Sequence, residues 1–177
     1  DKRFSGKWAP TKNIYGFFAD HHSRGFFDNN FYLFDPQKLS FTRFAWRNIL
    51  DAYDFYWAPD NKSIAFDHAG EIFIINVQNP QDPPYKVQAL ESDGAVASSI
   101  VWTTDCQSIA YLTRTPTRLL FILFFKPAKY HLVKLNVKTG KFKKIYINDI
   151  PKEVCWIGGN ILYYKLNHNG TVYRLKF

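Results

Sequence analysis

Methionine is absent from this chain of 177 residues, and cysteine occurs only at Cys106 and Cys155. Two cysteines make neither a disulfide framework nor a zinc-ligand spacing, so a stapled mini-domain and a cysteine metal module are both excluded, and a reduced pair fits the sequence as well as a bridge. Long apolar runs are missing as well. The longest, Leu119 to Phe125, holds seven residues, against the roughly 20 that a membrane-spanning helix needs, so no transmembrane segment is expected. With no methionine and Asp1 as its first residue, the chain reads as a processed mature chain or an excised piece.

Catalytic signatures are equally scarce. The sequence contains no Gly-x-Ser-x-Gly elbow, no phosphate-binding glycine loop and no His-Glu-x-x-His, which leaves no catalytic, metal or cofactor site to assign. The expectation is therefore a chain without hydrolase activity of its own. The pair His21-His22 is the one hint of metal chemistry. Adjacent side chains in a strand point to opposite faces, and no cysteine or third histidine lies nearby, so the segment Ala19 to Asn30 is expected to be a long surface loop.

Acidic residues are unevenly missing. Between Cys106 and Asn148 there are nine Lys or Arg and no Asp or Glu, within a total net charge of +8, so the rest of the chain is close to neutral. Such a segment is the electrostatic footprint of an anionic partner, whether nucleic acid, lipid headgroups or an acidic protein surface. The plainer account is a solvated outer edge, with Lys138, Lys141, Lys143 and Lys144 on a hairpin where charge discourages edge pairing.

What the chain has in abundance is aromatic residues, 19% of the total, without long helical periodicity, and this favours an all-β fold. The stretch from Phe55 to Val77 shows how it is built. Trp57 closes one apolar strand, Pro59-Asp60-Asn61 supplies a tight turn, Ser63 to Phe66 forms a second strand, and Asp67 to Gly70 leads into the apolar strand Glu71 to Val77. Trp8, Trp102 and Trp156 head similar stretches, at spacings of 49, 45 and 54 residues from one tryptophan to the next, so a unit of about 40 to 50 residues repeats. Leu135 to Phe142 and Phe34 to Phe41 turn back on themselves and add a fourth strand to each complete unit. Trp57, Trp102 and Trp156 are expected at equivalent buried positions.

Four-stranded meanders at this period are the signature of propeller blades. Trp57-Ala58-Pro59-Asp60 followed by Ile64-Ala65-Phe66 and Ile72-Phe73-Ile74-Ile75 resembles the TolB-type, WD40-like propeller repeat, and is also similar to blades of prolyl oligopeptidase propellers. The copy at Trp102 has Thr103-Thr104 in place of Ala-Pro, the copy at Trp8 lacks the Asp, and the copy at Trp156 has Gly158-Gly159 where Pro-Asp would sit. The resemblance implies a β-propeller of antiparallel four-stranded blades, at about 2–45, 50–92, 95–147 and 152–177 of a single domain or fragment. It also implies that the turn residues Asp60 and Asp105 are structural caps. Because the last blade ends without an outer strand, a piece of a larger ring of about six to eight blades is expected, with a closed four-bladed ring as the alternative.

Two functions follow from the resemblance. The leading one is a non-catalytic binding scaffold, periplasmic or extracellular, whose ring face or central opening holds another protein. The alternative is the propeller part of a prolyl-oligopeptidase-like serine peptidase whose hydrolase domain is not in this chain. The candidate contact is an insertion in the third blade, Arg114 to Lys129, where the apolar tract containing Leu120 and Ile122 is flanked by Arg114, Arg118, Lys126 and Lys129. In a strand, half of such a tract points away from its own blade and calls for cover by a partner or a second copy of the chain. Asn61 and Asn169 each sit in a glycosylation acceptor pattern in turns expected to be exposed.

Overall fold

In the computed structural model, residues 6–23, 26–44, 54–68, 71–89, 96–115, 129–147, 151–156, 161–166 and 170–177 are described. They form fifteen strands and no helix, in two compact units, Asp1–Val87 and Gln88–Phe177. In the first unit, β1 (Gly6–Trp8), β2 (Tyr15–Ser23), β3 (Phe26–Asp35) and β4 (Ser40–Phe44) make one antiparallel sheet in chain order. A second follows from β5 (Phe55–Trp57), β6 (Ser63–His68), β7 (Glu71–Asn76) and β8 (Tyr85–Ala89). In the second unit, β9 (Val96–Trp102), β10 (Ser108–Thr115), β11 (Lys129–Asn136) and β12 (Phe142–Ile147) form a four-stranded sheet. The last sheet has three strands, β13 (Pro151–Trp156), β14 (Ile161–Leu166) and β15 (Val172–Lys176).

Each tryptophan of the repeat is the last residue of its sheet's first strand, and the turn after Trp8, Trp57 and Trp102 recurs in hydrogen-bond detail. The N–H one residue beyond the tryptophan donates to the carbonyl six residues beyond it, from Ala9 to Ile14, Ala58 to Ser63 and Thr103 to Ser108, at 2.8–2.9 Å. Asp60 Oδ1 accepts the Lys62 N–H at 2.9 Å and Asp105 Oδ1 the Gln107 N–H at 3.0 Å, the side-chain-to-backbone bond that makes Asp a turn residue. The next residue takes the left-handed conformation in both, Asn61 at φ 57° and Cys106 at φ 57°. Asn61 holds it with its side chain bonded to Thr11, and the Cys106 thiol lies 3.9 Å from the Thr104 carbonyl. The third strands end alike, on Asp35, Asn76 and Asn136, whose side-chain oxygens accept N–H groups two residues on.

In the first unit the two sheets share one core of Phe18, Phe31, Leu33, Phe44, Phe55, Ile64, Phe66 and Ile75. Phe31 meets Phe55 edge-on at 5.1 Å between centroids, and Phe18 meets Phe55 at 5.7 Å and Phe66 at 6.0 Å. Edge-to-face pairing satisfies the ring quadrupoles and adds to the burial of so many rings. Gly16 in β2 makes room for them. A Cβ built on it would lie 2.9 Å from Phe31 Cζ and 3.2 Å from both Phe55 Cε2 and Trp57 Cζ2. The first strands are tied as well, since Lys7 Nζ donates to the Phe55 carbonyl at 2.8 Å and pairs with Asp54 at 2.6 Å. In the second unit Ala110, Leu132 and Leu162 form the shared core, with Val154, Tyr164, Leu175 and Phe177 against it.

Several expectations change. The segment Ala19 to Asn30 is not a loop: the β2–β3 ladder runs through it from Ala19↔Asn30 to Ser23↔Phe26, with His21 opposite Asp28 and His22 opposite Phe27. Alternating register kept the hairpin going where polar composition read as a turn. The third-blade insertion begins later and ends earlier than expected, because Arg114↔Tyr130 and Thr115↔Lys129 still belong to the β10–β11 ladder. Asn61 is not exposed. It is 5% accessible, its Oδ1 accepts the Thr11 N–H at 3.0 Å and its amide donates to Thr11 Oγ1, so a glycan there would displace an internal contact. The tryptophans are unequal: Trp102 is buried, Trp57 half-buried with its indole N–H donating to the Lys7 carbonyl at 3.2 Å, and Trp8 55% exposed. The side chain of Trp156 and the residue Asn169 lie outside the described residues.

Candidate interaction surface

Where a sheet ends, its last strand carries one unpaired edge and two wetter faces, so the residues there meet solvent or a partner. The outer strand of the third sheet, β12, stands out by composition. Its hairpin is set by Asn136, whose Oδ1 accepts the N–H groups of Lys138 at 3.1 Å and Thr139 at 2.9 Å, while Gly140 takes φ 68°, a conformation that glycine adopts without a Cβ clash. The register beyond that turn is regular: Leu135↔Phe142, Lys134↔Lys143, Val133↔Lys144, Leu132↔Ile145, His131↔Tyr146 and Tyr130↔Ile147.

Strand alternation then sorts the side chains into two faces. Phe142, Lys144 and Tyr146 share one, Phe142 43% and Tyr146 56% exposed. Lys144 Nζ lies 5.3 Å from the Phe142 ring centroid, within cation–π range, and Tyr146 meets the His131 ring edge-on at 5.8 Å. Lys143 is on the opposite face directly across from Lys134, whose Nζ lies 5.7 Å from the Phe177 ring. Like charges facing each other across a ladder are unfavourable, and the Cys106 to Asn148 segment holds no acid to relieve them. Asp105 is held below the ordinary aspartate range by the Thr103 hydroxyl and the Gln107 N–H, with Lys134 adding a smaller attraction.

The other outer strands are similar but less basic. Phe41 in β4 is exposed and stacks on Phe34 at 4.7 Å, and Tyr85 in β8 is exposed beside Lys86, which is paired with Glu71. Sequence reasoning singled out the lysines of β12 but passed over Phe142 and Tyr146; their period-two spacing around Lys144 was the available signal. Of the residues chosen from sequence, Arg114 and Lys129 have their backbones in the β10–β11 ladder. Their side chains, and Arg118, Leu120, Ile122 and Lys126 altogether, lie outside the described residues. Among the described residues, no group of three or more His, Cys, Asp or Glu is placed to hold a metal ion, and no helix is long and apolar enough to cross a membrane.

No protein-family model matches the sequence, and no curated protein matches it either. Solved structures do match by shape. The acylaminoacyl peptidase of Pyrococcus horikoshii superposes with a TM-score of 0.72 at 14% identity, over 94% of this chain and 30% of that one. An oligogalacturonate lyase in complex with manganese gives 0.65 at 11% identity, over 98% of this chain and 56% of that one. The β-propeller domain of Swd1 from Myceliophteria thermophila gives 0.68 at 7% identity, over 98% of this chain and 54% of that one. The chain thus spans between about a third and rather more than half of the length of these structures. At such identities the likeness speaks for fold alone: this chain has an all-β, propeller-type fold built of antiparallel blades.

Proposed function

We propose that this chain is a non-catalytic propeller module of the TolB type that binds another protein, in the periplasm or outside the cell. The observation that carries the reading is the Phe142–Lys144–Tyr146 stripe, a solvent-facing aromatic and cationic strip on an edge strand. Aromatic groups held by a sheet offer contact area at little entropic cost, and cations beside them set the sign of the partner. Support for TolB kinship comes from the turn that repeats after Trp8, Trp57 and Trp102, with Asp60 and Asp105 in matching roles. A second reading, the propeller part of a serine peptidase, is favoured by the match to the acylaminoacyl peptidase, of which the chain spans 30%.

Incubation of the pure chain with chromogenic peptide and ester substrates tests the non-catalytic part. No turnover is expected, and turnover that a single substitution abolishes would refute it. The longer reading frame, where there is one, separates the two readings: a downstream Gly-x-Ser-x-Gly followed by Asp and His moves the assignment to the peptidase.

A further inference from the structure

We propose that the face of the first sheet turned away from its core is the seat of a second copy of the chain, whose fourth sheet lays its own outward face on it. The inference goes beyond the binding reading above, which concerns a different sheet. It starts from the register. Trp8 stands opposite Tyr15, Tyr15 opposite Phe34 and Phe34 opposite Phe41, while Phe17 stands opposite Tyr32. Residues opposite one another, or two apart along a strand, share a face, so these six lie together and Phe18, Phe31 and Leu33 take the core side. The rings run across all four strands. Trp8 lies 5.1 Å from Tyr15 between centroids, Tyr15 6.0 Å from Phe17, Phe17 stacks on Tyr32 at 5.4 Å, and Phe34 stacks on Phe41 at 4.7 Å. Gly6 leaves room for the first of them, since a Cβ there would collide with the Tyr15 hydroxyl. Trp8 at one end is 55% exposed and Phe41 at the other 63%, with the four rings between them half-buried. An aromatic strip of this width, open at both ends, marks an interface.

The chain's own chemistry names the occupant. The core side of the same sheet already packs on a four-stranded sheet through Phe18, Phe31 and Phe44 against Phe55 and Phe66, so sheet on sheet is the packing this element makes. Charge selects which sheet. Asp1–Val87 holds ten Lys or Arg and ten Asp or Glu, a net charge of zero, whereas Gln88–Phe177 holds thirteen and five, a net charge of +8. Docking the neutral unit of one copy on the basic unit of the other avoids the repulsion that two basic units would meet. The same neutrality gives a nucleic acid little hold on this face. In the fourth sheet Leu162, Tyr164 and Leu175 are on the core side, so alternation puts Ile161, Tyr163, Val172, Arg174 and Lys176 on the outward one. Val172 is 60% exposed, and Arg174 and Lys176 are exposed. A guanidinium or ammonium group seats over the face of an aromatic ring, and the aliphatic side chains and Tyr163 fill the space between. Each copy carries one face of each kind, so two copies pair through two identical contacts that leave neither face unmatched. The chain spans 54% of the Swd1 propeller domain, so two copies supply about the length of one such propeller.

Sedimentation equilibrium of the pure chain over a range of concentrations tests the pairing. A dimer of twice the 20.8 kDa chain mass is expected. Phe41→Lys and Arg174→Glu alter exposed positions on the two faces, and each should weaken dimerisation about tenfold or more, as loss of an aromatic or arginine anchor does. Circular dichroism checks that each variant keeps its sheets. Where Phe41→Lys does not, Trp8→Lys at the other end of the strip takes its place. Mixing the two variants then decides the arrangement. A heterodimer regains one contact in which both faces are native, so an equimolar mixture should recover association that neither variant shows alone. A parent chain that stays monomeric at every concentration overturns the inference, as does a mixture that stays monomeric. Dimerisation lost in Phe41→Lys but unchanged in Arg174→Glu would mean that two aromatic faces meet each other, and overturns it as well. None of these failures touches the non-catalytic reading, which stands or falls on the turnover assay.

Discussion

Replacing Asn61 probes the turn that links the two sheets of the first unit. Asn61 takes φ 57°, its side-chain Oδ1 accepts the Thr11 N–H at 3.0 Å, and its side-chain Nδ2 donates to the Thr11 hydroxyl, fifty residues away in sequence. Asn61→Ala removes both hydrogen bonds, each worth about 1 kcal/mol net. It also places a residue without a compensating polar group in the left-handed region, at about 1 kcal/mol or somewhat more. The total is about 3 kcal/mol or somewhat more. Asn61→Gly removes the same hydrogen bonds but adopts the backbone freely, so it should cost less, by about 1 kcal/mol. Thr11→Val removes the hydroxyl while keeping the N–H, and its effect should be non-additive with Asn61→Ala because the two residues share a contact. Urea unfolding followed by circular dichroism gives the stabilities of the unaltered chain, the three single variants and the double variant Asn61→Ala with Thr11→Val. Equal losses for the Ala and Gly variants would refute the backbone argument, and full additivity with Thr11→Val would refute the contact.

Three further outcomes are expected. Gly16→Ala should destabilise the first unit by about 1–3 kcal/mol by overpacking, since its new methyl would meet the rings of Phe31, Phe55 and Trp57; an unchanged denaturation midpoint would show that the rings give way freely. Asp105 has its pKa depressed chiefly by the Thr103 hydroxyl and then by the Gln107 N–H. Its contribution to stability is therefore present above the unfolded aspartate value, near pH 4, and is lost as pH falls through the lower folded value. Asp105→Asn should flatten the acid limb of a stability–pH curve, and an identical limb would count against that carboxylate. In the apolar tract of the third blade, Leu120→Ser with Ile122→Ser should lower the native mass or partner association of the chain while its thermal midpoint holds. Unfolding with no change in association before it would show ordinary core there.

The residues that made the fold legible act locally. Pro59, Asp60 and Asn61 turn the chain after Trp57 through fixed φ and a side-chain-to-backbone bond, and Asp105 does the same after Trp102, so the positions of the turns and the count of strands follow from neighbours in sequence. Gly140 and Gly170, both at positive φ, mark their turns equally directly. Short apolar stretches such as Ile72-Phe73-Ile74-Ile75 established that the strands bury side chains, which any four-stranded meander must do.

What sequence spacing left open depends on residues far apart in the chain. Asn61 was readable as an exposed acceptor pattern, and only the approach of Thr11 buries it. Gly16 carried no signal of its own; its need for a bare Cα arises from three rings supplied by β3 and β5. Equal tryptophans in sequence became a buried Trp102, a half-buried Trp57 and an exposed Trp8, because burial is decided by what packs against a position and not by the repeat that places it. The interaction stripe is of the same kind. Lysines on an outer hairpin were visible, and period-two spacing puts Phe142, Lys144 and Tyr146 on one face, but that the two rings stay exposed there depends on what packs against the sheet, which tertiary structure decides.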